Sequence, residues 1–303
     1  MLSRIAESFF WLGRYVERAE ATTRLLAEHH QLLVQDRAIP ESWGCAVLLD
    51  ALGISTADAG EVTAADLVTR VIGTEFDAST IAGSIASARA NARAIRESLS
   101  QDTFEALNAT HLAVSRGLMS TASPGITLHR VLERLLVVNG VIDWTMPRDE
   151  AYWFLVLGRE LERIDMVARL LSVRHDLLWR SSGPAAVLRA SGALSPFLRT
   201  GRLMNADSAR AFLVLDRAFP RSMLACAVDA EEAVRALQSL GLHESAAVLR
   251  VIGIMRSELE YAREPSAADI DSYVMRTRDA ATQATDEANR SFFRQHGTIV
   301  WSH

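Results

Sequence analysis

The sequence is poor in features that mark several classes of protein. Its 303 residues include 2 cysteines, each isolated in an apolar setting, which excludes a disulfide framework and a cysteine-based metal knuckle. No uninterrupted apolar run reaches the ~18 residues that are needed to cross a bilayer. The apolar N-terminal stretch is interrupted by Glu7 and Arg14, and no small-residue cleavage site follows it, so we expect that it is not a secretion signal. We expect a protein of the reducing cytoplasm that makes no contact with a membrane.

Positive charge is not in excess either. The formal net charge is −5, whereas a general nucleic-acid binder shows a basic field over its whole domain. The glycine-rich phosphate loop and the CxxC, HExxH and GxSxG patterns are also absent. We therefore expect no nucleic-acid partner, no metal and no bound cofactor, and no catalytic residue can be named from a motif.

What is present favours helices. Hydrophobic residues make up 49% of the chain, with 16 glycines and 7 prolines, and no strand-type alternation of useful length occurs. The patterns predict an all-α fold in a single domain, 1–303. Long helices are predicted near 3–36, 79–100, 124–144, 148–180, 221–240, 243–261 and 269–296, and shorter ones at 43–52 and 64–72. Segment 54–62 is predicted to be a loop, and segment 181–203 a set of short helices that forms a flexible element or lid.

One stretch occurs twice. Residues 12–33 (LGRYVERAEATTRLLAEHHQLL) and 157–178 (LGRELERIDMVARLLSVRHDLL) align without a gap and share 11 identities in 22 positions. We call them the first and second copies. They predict a large helical bundle of two pseudo-symmetric halves, about 1–146 and 147–303, each built on a long LGRxxER helix. The aligned polar pairs are Arg14/Arg159, Glu17/Glu162, Arg18/Arg163, Glu20/Asp165, Arg24/Arg169 and His30/His175.

The charged residues of each copy are predicted to lie inside the protein. Those of the first copy fall within roughly 120° of the helix circumference, and Phe10 and Leu25 lie in the same sector. Tyr152 and Leu155 do the same in the second copy, and a helix that is apolar on nearly every side is usually buried. Buried charges must be paired, so each glutamate is expected against an arginine three or four residues away on its own helix.

The arginines outnumber the acids of the two copies. The excess could be met by acids elsewhere, such as Asp216, or by an anionic ligand, because guanidinium groups bind carboxylates and phosphates bidentately. Arg217 and Arg221 lie around the helix break at Pro220. They could hold an anion together with free backbone N–H groups, or they could cap a helix end and form ion pairs between helices. His30 and His175 are expected in the packing interface, because histidine pairs without a further ligand make a weak metal signal.

Four blocks of the sequence resemble a known family. The opening MLSRIAESFFWLGRYVERAEATTRLL resembles the start of the bacterial alpha-E domain proteins. ARANARAIRESLSQDTFEALN, LGRELERIDMVARLL and LDRAFPRSM resemble its other blocks, in the same order. The resemblance implies an all-helical protein that is encoded beside or fused to a circularly permuted ATP-grasp enzyme, often with a transglutaminase-like protease. The family is not assigned a reaction, so it supplies no catalytic residue.

Three hypotheses follow. The first is a non-catalytic helical partner of an ATP-grasp peptide ligase that binds the ligase or its acidic peptide substrate. The second is an enzyme in peptide or amide metabolism that uses Glu17 or Glu162 as an acid or base. The third is a structural protein whose Arg–Glu cluster is only an ion-pair network, with a homodimer through the Ala/Ser-rich helix 79–100 as one form. The predicted ligand-binding residues are Arg14, Glu17, Arg18, Arg24, Arg159, Glu162, Arg163, Arg169, Asp216, Arg217 and Arg221.

Overall fold

The computed structural model describes residues 1, 3–37, 39–54, 61–74, 76–115, 123–262 and 266–293. Every regular element in these ranges is helical, which confirms the all-α prediction. A 3₁₀ turn covers His243–Ser245, and a π-helical turn covers Asn289–Phe293. The α-helices are α1 (Ser3–Gln35), α2 (Glu41–Leu52), α3 (Ala64–Ile72), α4 (Ile81–Ala94), α5 (Gln101–Ser115), α6 (Pro124–Thr145), α7 (Glu150–Ser172), α8 (His175–Leu178), α9 (Gly183–Ala190), α10 (Leu194–Arg199), α11 (Ala206–Leu215), α12 (Met223–Ser239), α13 (Ala246–Glu260) and α14 (Ala267–Ala288).

Local signals explain most of the helix boundaries. Thr63 and Asp66 form a capping box at the start of α3, and such a box satisfies two backbone N–H groups that the helix leaves free. Gly53 ends α2 in the left-handed conformation, with φ 72, directly after the predicted end of this helix at residue 52. At α14 the cap is Ser266, and the predicted cap, Asp269, closes the capping box from inside the helix. The helices predicted at 43–52, 64–72 and 124–144 are therefore confirmed to within a few residues.

The second repeat helix is shorter than predicted. Instead of continuing to Arg180, α7 ends at Ser172, and Arg174 takes the left-handed conformation with φ 54. Neither glycine nor proline marks this break, so helical periodicity could not reveal it. As a result His175 opens the separate short helix α8, and the last four residues of the second copy leave the path that the first copy follows. The predicted loop 54–62 and the predicted helix end near His296 lie mostly outside the described residues.

The two repeat helices form the centre of the bundle. α1 makes its most extensive contact with α7, while α4 packs on α1 and α12 packs on α7. Gly13 and Gly158 allow the crossing, because a Cβ on Gly13 would overlap the carbonyl oxygen of Leu155 and one on Gly158 would overlap that of Phe10. These glycines occupy the same position in the two copies. The symmetry of the whole halves stays a prediction.

Two other expectations about surfaces change. The small residues of α4 that suggested a homodimer, including Gly83 and Ala88, are buried within one chain, so this face is not free for a second copy. Segment 181–203 does consist of short helices, α9 and α10, joined by turns. Leu188 and Phe197 from these helices are fully buried, which favours a fixed part of the core over a lid.

Candidate functional site

The strongest polar contacts between the repeat helices are reciprocal. Arg18 of α1 donates to Glu162 of α7 from Nε (2.5 Å) and Nη2 (3.0 Å). Arg163 of α7 donates to Glu17 of α1 from Nε (3.1 Å) and Nη2 (2.8 Å). The sequence predicted that these glutamates pair with arginines on their own helix, and that prediction is wrong. The pairs instead tie each copy to the other across the crossing point.

One pair in each copy does form along the helix. Arg24 Nε donates to Glu20 Oε1 at 2.9 Å, and Arg169 Nε donates to Asp165 Oδ2 at 2.7 Å. Both pairs have the i,i+4 spacing that brings side chains together on a helix surface. Two aligned pairs of arginines, Arg18/Arg163 and Arg24/Arg169, therefore make equivalent contacts in the two copies. The copies differ in what surrounds these contacts.

Around the first copy's acids the charges are balanced. Arg221 bridges Glu17 and Glu20, and Asn139 donates to the second oxygen of Glu20 at 2.7 Å. We call this side the closed cluster. It has four arginines and four acids: Arg24, Arg159, Arg163 and Arg221 with Glu17, Glu20, Glu160 and Asp143.

The pKa shifts in the closed cluster agree with that balance. Burial alone would raise the pKa of Glu17, but the charges of Arg163 and Arg221 outweigh it and hold the pKa below its ordinary value. Asp229 of α12 faces the same cluster, and burial together with the negative charge of Glu160 raises its pKa to about 6. The positive charges of Arg163 and Arg159 act to lower this pKa but do not offset the burial and the negative charge of Glu160.

Around the second copy's acids the arginines are in excess. Glu162 accepts from Arg14 as well as Arg18, and Asp165 accepts from Arg278 of α14 (2.8 Å) as well as Arg169. We call this side the open cluster. It has four arginines for two paired acids: Arg14, Arg18, Arg169 and Arg278 with Glu162 and Asp165. Arg278 was not predicted, because it lies 113 residues from Asp165 in the sequence.

A cavity of about 230 Å³ lies at the open cluster. All four arginines of the open cluster line it, together with Leu161, Asp165, Ala281, Thr282, Thr285 and Asp286. Arg14 is held in place by Thr285, which accepts from its Nη1 at 3.2 Å, and by Trp11, whose ring centroid lies 5.0 Å from the guanidinium carbon. Because the aromatic face and the hydroxyl fix this side chain, its charge is preorganised toward the cavity.

Several donors of the open cluster remain available. No hydrogen bond to a described residue uses Nη2 of Arg14, Nη2 of Arg169 or either terminal nitrogen of Arg278. A second cavity of about 120 Å³ shares Arg18 and Arg169 with the first and is completed by Thr22, Leu52, Ser79 and Met166. Unused guanidinium donors around a cavity are what an oxyanion needs for bidentate binding.

The cavity is not the largest depression of the described surface. Wider grooves of about 530 Å³ and 320 Å³ lie between α5 and α6 and between α13 and α14. Each is lined by apolar side chains together with two arginines and one glutamate. We assign the site to the open cluster because four arginines converge on its cavity, and volume alone gives no reason for binding.

Other residues singled out in the sequence lie elsewhere. Asp216 accepts from the backbone N–H groups of Ala218 and Phe219, so it caps a turn and does not supply the counter-charge that was expected. Arg217 pairs with Glu260 on an exposed surface. Of the three residues near Pro220, only Arg221 joins the Arg–Glu cluster.

The histidine prediction is half right. His175 is buried, but its partner is His29, at 3.2 Å between Nε2 and Nδ1, and the aligned His30 is only half-buried. The early end of α7 explains the shift. Burial lowers the pKa of His29 to about 4 and that of His175 to about 3. Both rings are therefore neutral at pH 7.

The geometry disfavours acid–base chemistry by the two predicted glutamates. Glu17 and Glu162 have no exposed surface, and each carboxylate is held by two arginines. A general acid or base must reach the proton that it transfers. No group of three or more His, Cys, Asp or Glu side chains that could hold a metal ion occurs among the described residues. Within the same ranges, every helix is too short or too polar to span a bilayer.

Comparison with known proteins gives a family and distant relatives. The chain is 25% identical over 249 residues to an uncharacterized protein of Mycobacterium bovis, and 25% and 24% identical to uncharacterized proteins of two Mycobacterium tuberculosis strains, CDC 1551 and H37Rv. Each match covers 73% of this chain but 28% of the relative, so the chain spans little more than a quarter of these longer proteins. No solved structure matches the chain significantly.

The family match covers nearly the whole chain. Residues 1–293 match the Alpha-E family, described as a predicted alpha-helical domain with a conserved ER motif. Both copies carry an ER dipeptide, Glu17-Arg18 and Glu162-Arg163, and these residues make the reciprocal contacts at the crossing of α1 and α7. The chain belongs to the Alpha-E family.

Proposed function

We propose that this protein is a helical module that binds an anionic ligand in the cavity of the open cluster. The observation that carries the proposal is the charge imbalance between two clusters built on the same repeat. On one side four arginines face two paired acids, Glu162 and Asp165, and the exposed carboxylate of Asp286, while the other side is balanced. A partly buried positive excess is costly unless a counter-charge enters, and the open cluster has both the space and the free donors for one.

The type of cation supports an oxyanion ligand. The sequence contains no lysine, so all 32 of its basic residues are arginines. Guanidinium groups present several donors in a planar fork that matches the two oxygens of a carboxylate or phosphate. Arg14 and Arg18 are also stacked beside Trp11 and Tyr15. The side chains that would receive the anion therefore lose little freedom when it binds.

We propose further that the module acts as a non-catalytic partner of a circularly permuted ATP-grasp enzyme. The resemblance of its four sequence blocks to the alpha-E proteins suggests this partner. The lengths of the mycobacterial relatives are consistent with a module that works beside further domains, since the matched region fills 28% of each. In this proposal the cavity receives an anionic group of the ligase's substrate, such as a carboxylate of an acidic peptide.

The binding proposal is tested by calorimetry with inorganic phosphate and a short oligoglutamate as probes. Replacing Arg278 by Gln should weaken binding of both probes by about fivefold, because one charge-assisted contact is worth roughly 1 kcal/mol at such exposure. Arg276→Gln is the matched control. Arg276 lies on the same helix, is similarly exposed and pairs with Glu258, but it does not line the cavity. Equal weakening by both variants, or no binding to the wild type, would reject the cavity as the site.

The partner proposal is tested in the native operon. The tagged protein should co-purify with an ATP-grasp protein that is encoded beside it, and adding it to that enzyme should change the rate of ligation. Arg278→Gln should lose the rate effect and still co-purify if the cavity binds substrate and a different surface binds the ligase. Failure to co-purify together with an unchanged ligation rate would remove the partner role.

A further inference from the structure

A smaller cavity adjoins the cavity of the open cluster. The two cavities share Arg18 and Arg169, so both guanidinium groups border both spaces. Among the described residues that line the smaller cavity there is no acid, whereas Asp165 and Asp286 line the larger one. A negatively charged group therefore meets two arginines and less repulsion in the smaller cavity.

The smaller cavity also contains an unused hydroxyl group. Thr22 of α1 lines it, is only 1% exposed and forms no hydrogen bond with a described residue. The adjacent Thr23, in contrast, donates to the backbone oxygen of Ala19. A buried hydroxyl group without a partner is costly unless a ligand or a water molecule satisfies it. Nη2 of Arg169 also donates to no described residue, so two unused donors border this space.

The remaining walls of the smaller cavity suit a compact polar group. Leu52 and Met166 are each 5% exposed, so they close the cavity and offer a ligand little apolar surface. Ser79 donates its hydroxyl group to Asp77 at 2.6 Å, and the next residue, Thr80, is the N-cap of α4. The N-terminus of a helix carries partial positive charge. A volume of about 120 Å³, the share of about four water molecules in the liquid, is enough for a tetrahedral oxyanion.

Two anionic groups in these cavities would have to lie close together. Nε of Arg18 is committed to Glu162 and Nε of Arg169 to Asp165, which leaves the terminal nitrogens for a ligand. A guanidinium presents its donors in a small planar fork, so two groups that contact the same fork lie side by side. Two phosphates joined through one bridging oxygen meet this requirement. The two carboxylates of a glutamate molecule, separated by a flexible three-carbon chain, do not.

We propose that the ligand of this site carries a diphosphate group, with one phosphate in the cavity of the open cluster and the other in the smaller cavity. Arg18 and Arg169 lie between the two phosphates and bind both, while Thr22 donates to the second. This inference rests on the proposed anion site and specifies its ligand class. It is not needed for that site to exist.

The test compares probes that carry one or two anionic groups. Calorimetry on the full chain, at constant ionic strength and without divalent cations, compares phosphate with pyrophosphate and acetate with malonate. Pyrophosphate should bind about tenfold more tightly than phosphate, because one added charge-assisted hydrogen bond has that scale. Malonate should gain less over acetate, because a carboxylate offers fewer oxygens and less charge than a phosphate. An equal gain for malonate would reject the diphosphate.

Two variants test whether the second phosphate occupies the smaller cavity. Ser79→Gln places a longer neutral side chain in this cavity and should bring the affinity for pyrophosphate down to that for phosphate. Thr22→Val replaces the free hydroxyl group by a methyl group. It should weaken pyrophosphate binding by about fivefold, the effect of one lost hydrogen bond, and phosphate binding less.

Each variant has a matched control. Thr23→Val removes a hydroxyl group from the adjacent buried position of α1, and Ser123→Gln lengthens an exposed serine that makes no capping bond at α6. Neither residue lines the two cavities, so both controls should keep the full preference for pyrophosphate. Arg278→Gln should weaken phosphate and pyrophosphate alike. Circular dichroism verifies that each variant folds, and if Thr22→Val does not, Ser79→Gln decides.

The outcomes distinguish this inference from the proposed function. If pyrophosphate binds the wild type no more tightly than phosphate, the diphosphate inference is overturned and the anion site stands. If the preference for pyrophosphate survives Ser79→Gln, the second phosphate lies elsewhere and the inference is also overturned. If no phosphate, pyrophosphate or carboxylate binds, both proposals fail.

Discussion

The closed and open clusters are built on the same repeat and have different charge. In each, an arginine of one repeat helix reaches across to a glutamate of the other, and an i,i+4 pair follows one turn later. On the closed side Arg221, which directly precedes the N-cap of α12, completes the pairing with Glu17 and Glu20. On the open side the residue directly before the N-cap of α4 is Ser79, which brings no positive charge and lines the smaller cavity, beside Arg18 and Arg169.

The two clusters share some contacts, and each also has residues that the other lacks. The shared contacts fix how α1 and α7 cross, which is the structural role that the sequence left open. The unshared residues decide whether a cavity remains. The closed cluster is a balanced ion-pair network, whereas the open cluster keeps an excess of arginines beside a cavity, where we propose that a ligand binds.

The largest effect is expected for the two buried glutamates. Glu17→Gln leaves Arg163 and Arg221 beside a neutral side chain in the closed cluster, so the free energy of unfolding should fall by about 3–5 kcal/mol. Glu162→Gln should cost roughly 1–2 kcal/mol less, because water or an anion in the cavity can compensate Arg14 and Arg18. Urea unfolding measures both, and Glu133→Gln on the exposed face of α6 is the control. Equal losses that phosphate does not reduce would show that the clusters do not differ.

Replacing Arg221 of the closed cluster should also destabilise the protein more than replacing Arg278 of the open cluster. Arg221 is largely buried and bridges two carboxylates, so Arg221→Gln should destabilise the protein by about 2–3 kcal/mol. Arg278 is 45% exposed, and exposed ion pairs contribute about 0–1 kcal/mol. Thermal unfolding of both variants without added anions tests this. A larger loss for Arg278→Gln would reverse the assignment of the structural and binding sides.

The glycines at the crossing should respond alike. Gly13→Ala and Gly158→Ala each place a methyl group against a backbone carbonyl, so each should lower stability by about 1–3 kcal/mol through forced separation of the helices. Gly140→Ala in α6 meets nothing within 4 Å and should stabilise by about 0.5–1 kcal/mol. If only one of the two central glycines matters, the helix crossing is not shared equally by the copies.

The smallest effect concerns the buried histidine pair, which lies outside both clusters. Because the pKa values of His29 and His175 are lowered, the unfolded chain binds more protons below about pH 6.5. Stability is full above that pH and falls on acidification toward the folded pKa values of about 4 and about 3. The expected loss is roughly 1 kcal/mol per histidine between about pH 7.5 and about pH 5.5. His175→Gln should reduce this slope and the exposed His129→Gln should not; identical slopes would contradict it.

The sequence predicted the helices and the location of the cluster well, for physical reasons. Helical spacing and capping residues are local, so the bounds of α3 and the end of α2 at Gly53 could be derived from neighbouring residues. The recurrence of the LGRxxER pattern identified the two helices that meet at the centre. Large apolar residues such as Phe10 and Tyr152 within the charged sectors correctly indicated that the charges lie inside.

The pairing itself could not be derived from the same signals. Helical periodicity shows which residues share a face of one helix, but not that Glu17 pairs with Arg163 on another. Arg278 and Arg221 come from distant helices whose packing no local pattern specifies. The left-handed turn at Arg174 lacks the glycine that usually marks one. The sequence therefore contains no sign that α7 ends before His175, whose partner is His29 and not the aligned His30. The difference between the clusters depends on the pairs across the crossing and on Arg221 and Arg278.

The most direct test of the central claim is a crystal structure of the protein soaked in sodium bromide, with anomalous scattering used to locate the anions. We expect bromide in the cavity of the open cluster, within hydrogen-bonding distance of the free nitrogens of Arg14, Arg169 or Arg278, and none beside the arginines of the closed cluster. An empty open cluster, or equal occupancy of the two, would contradict it.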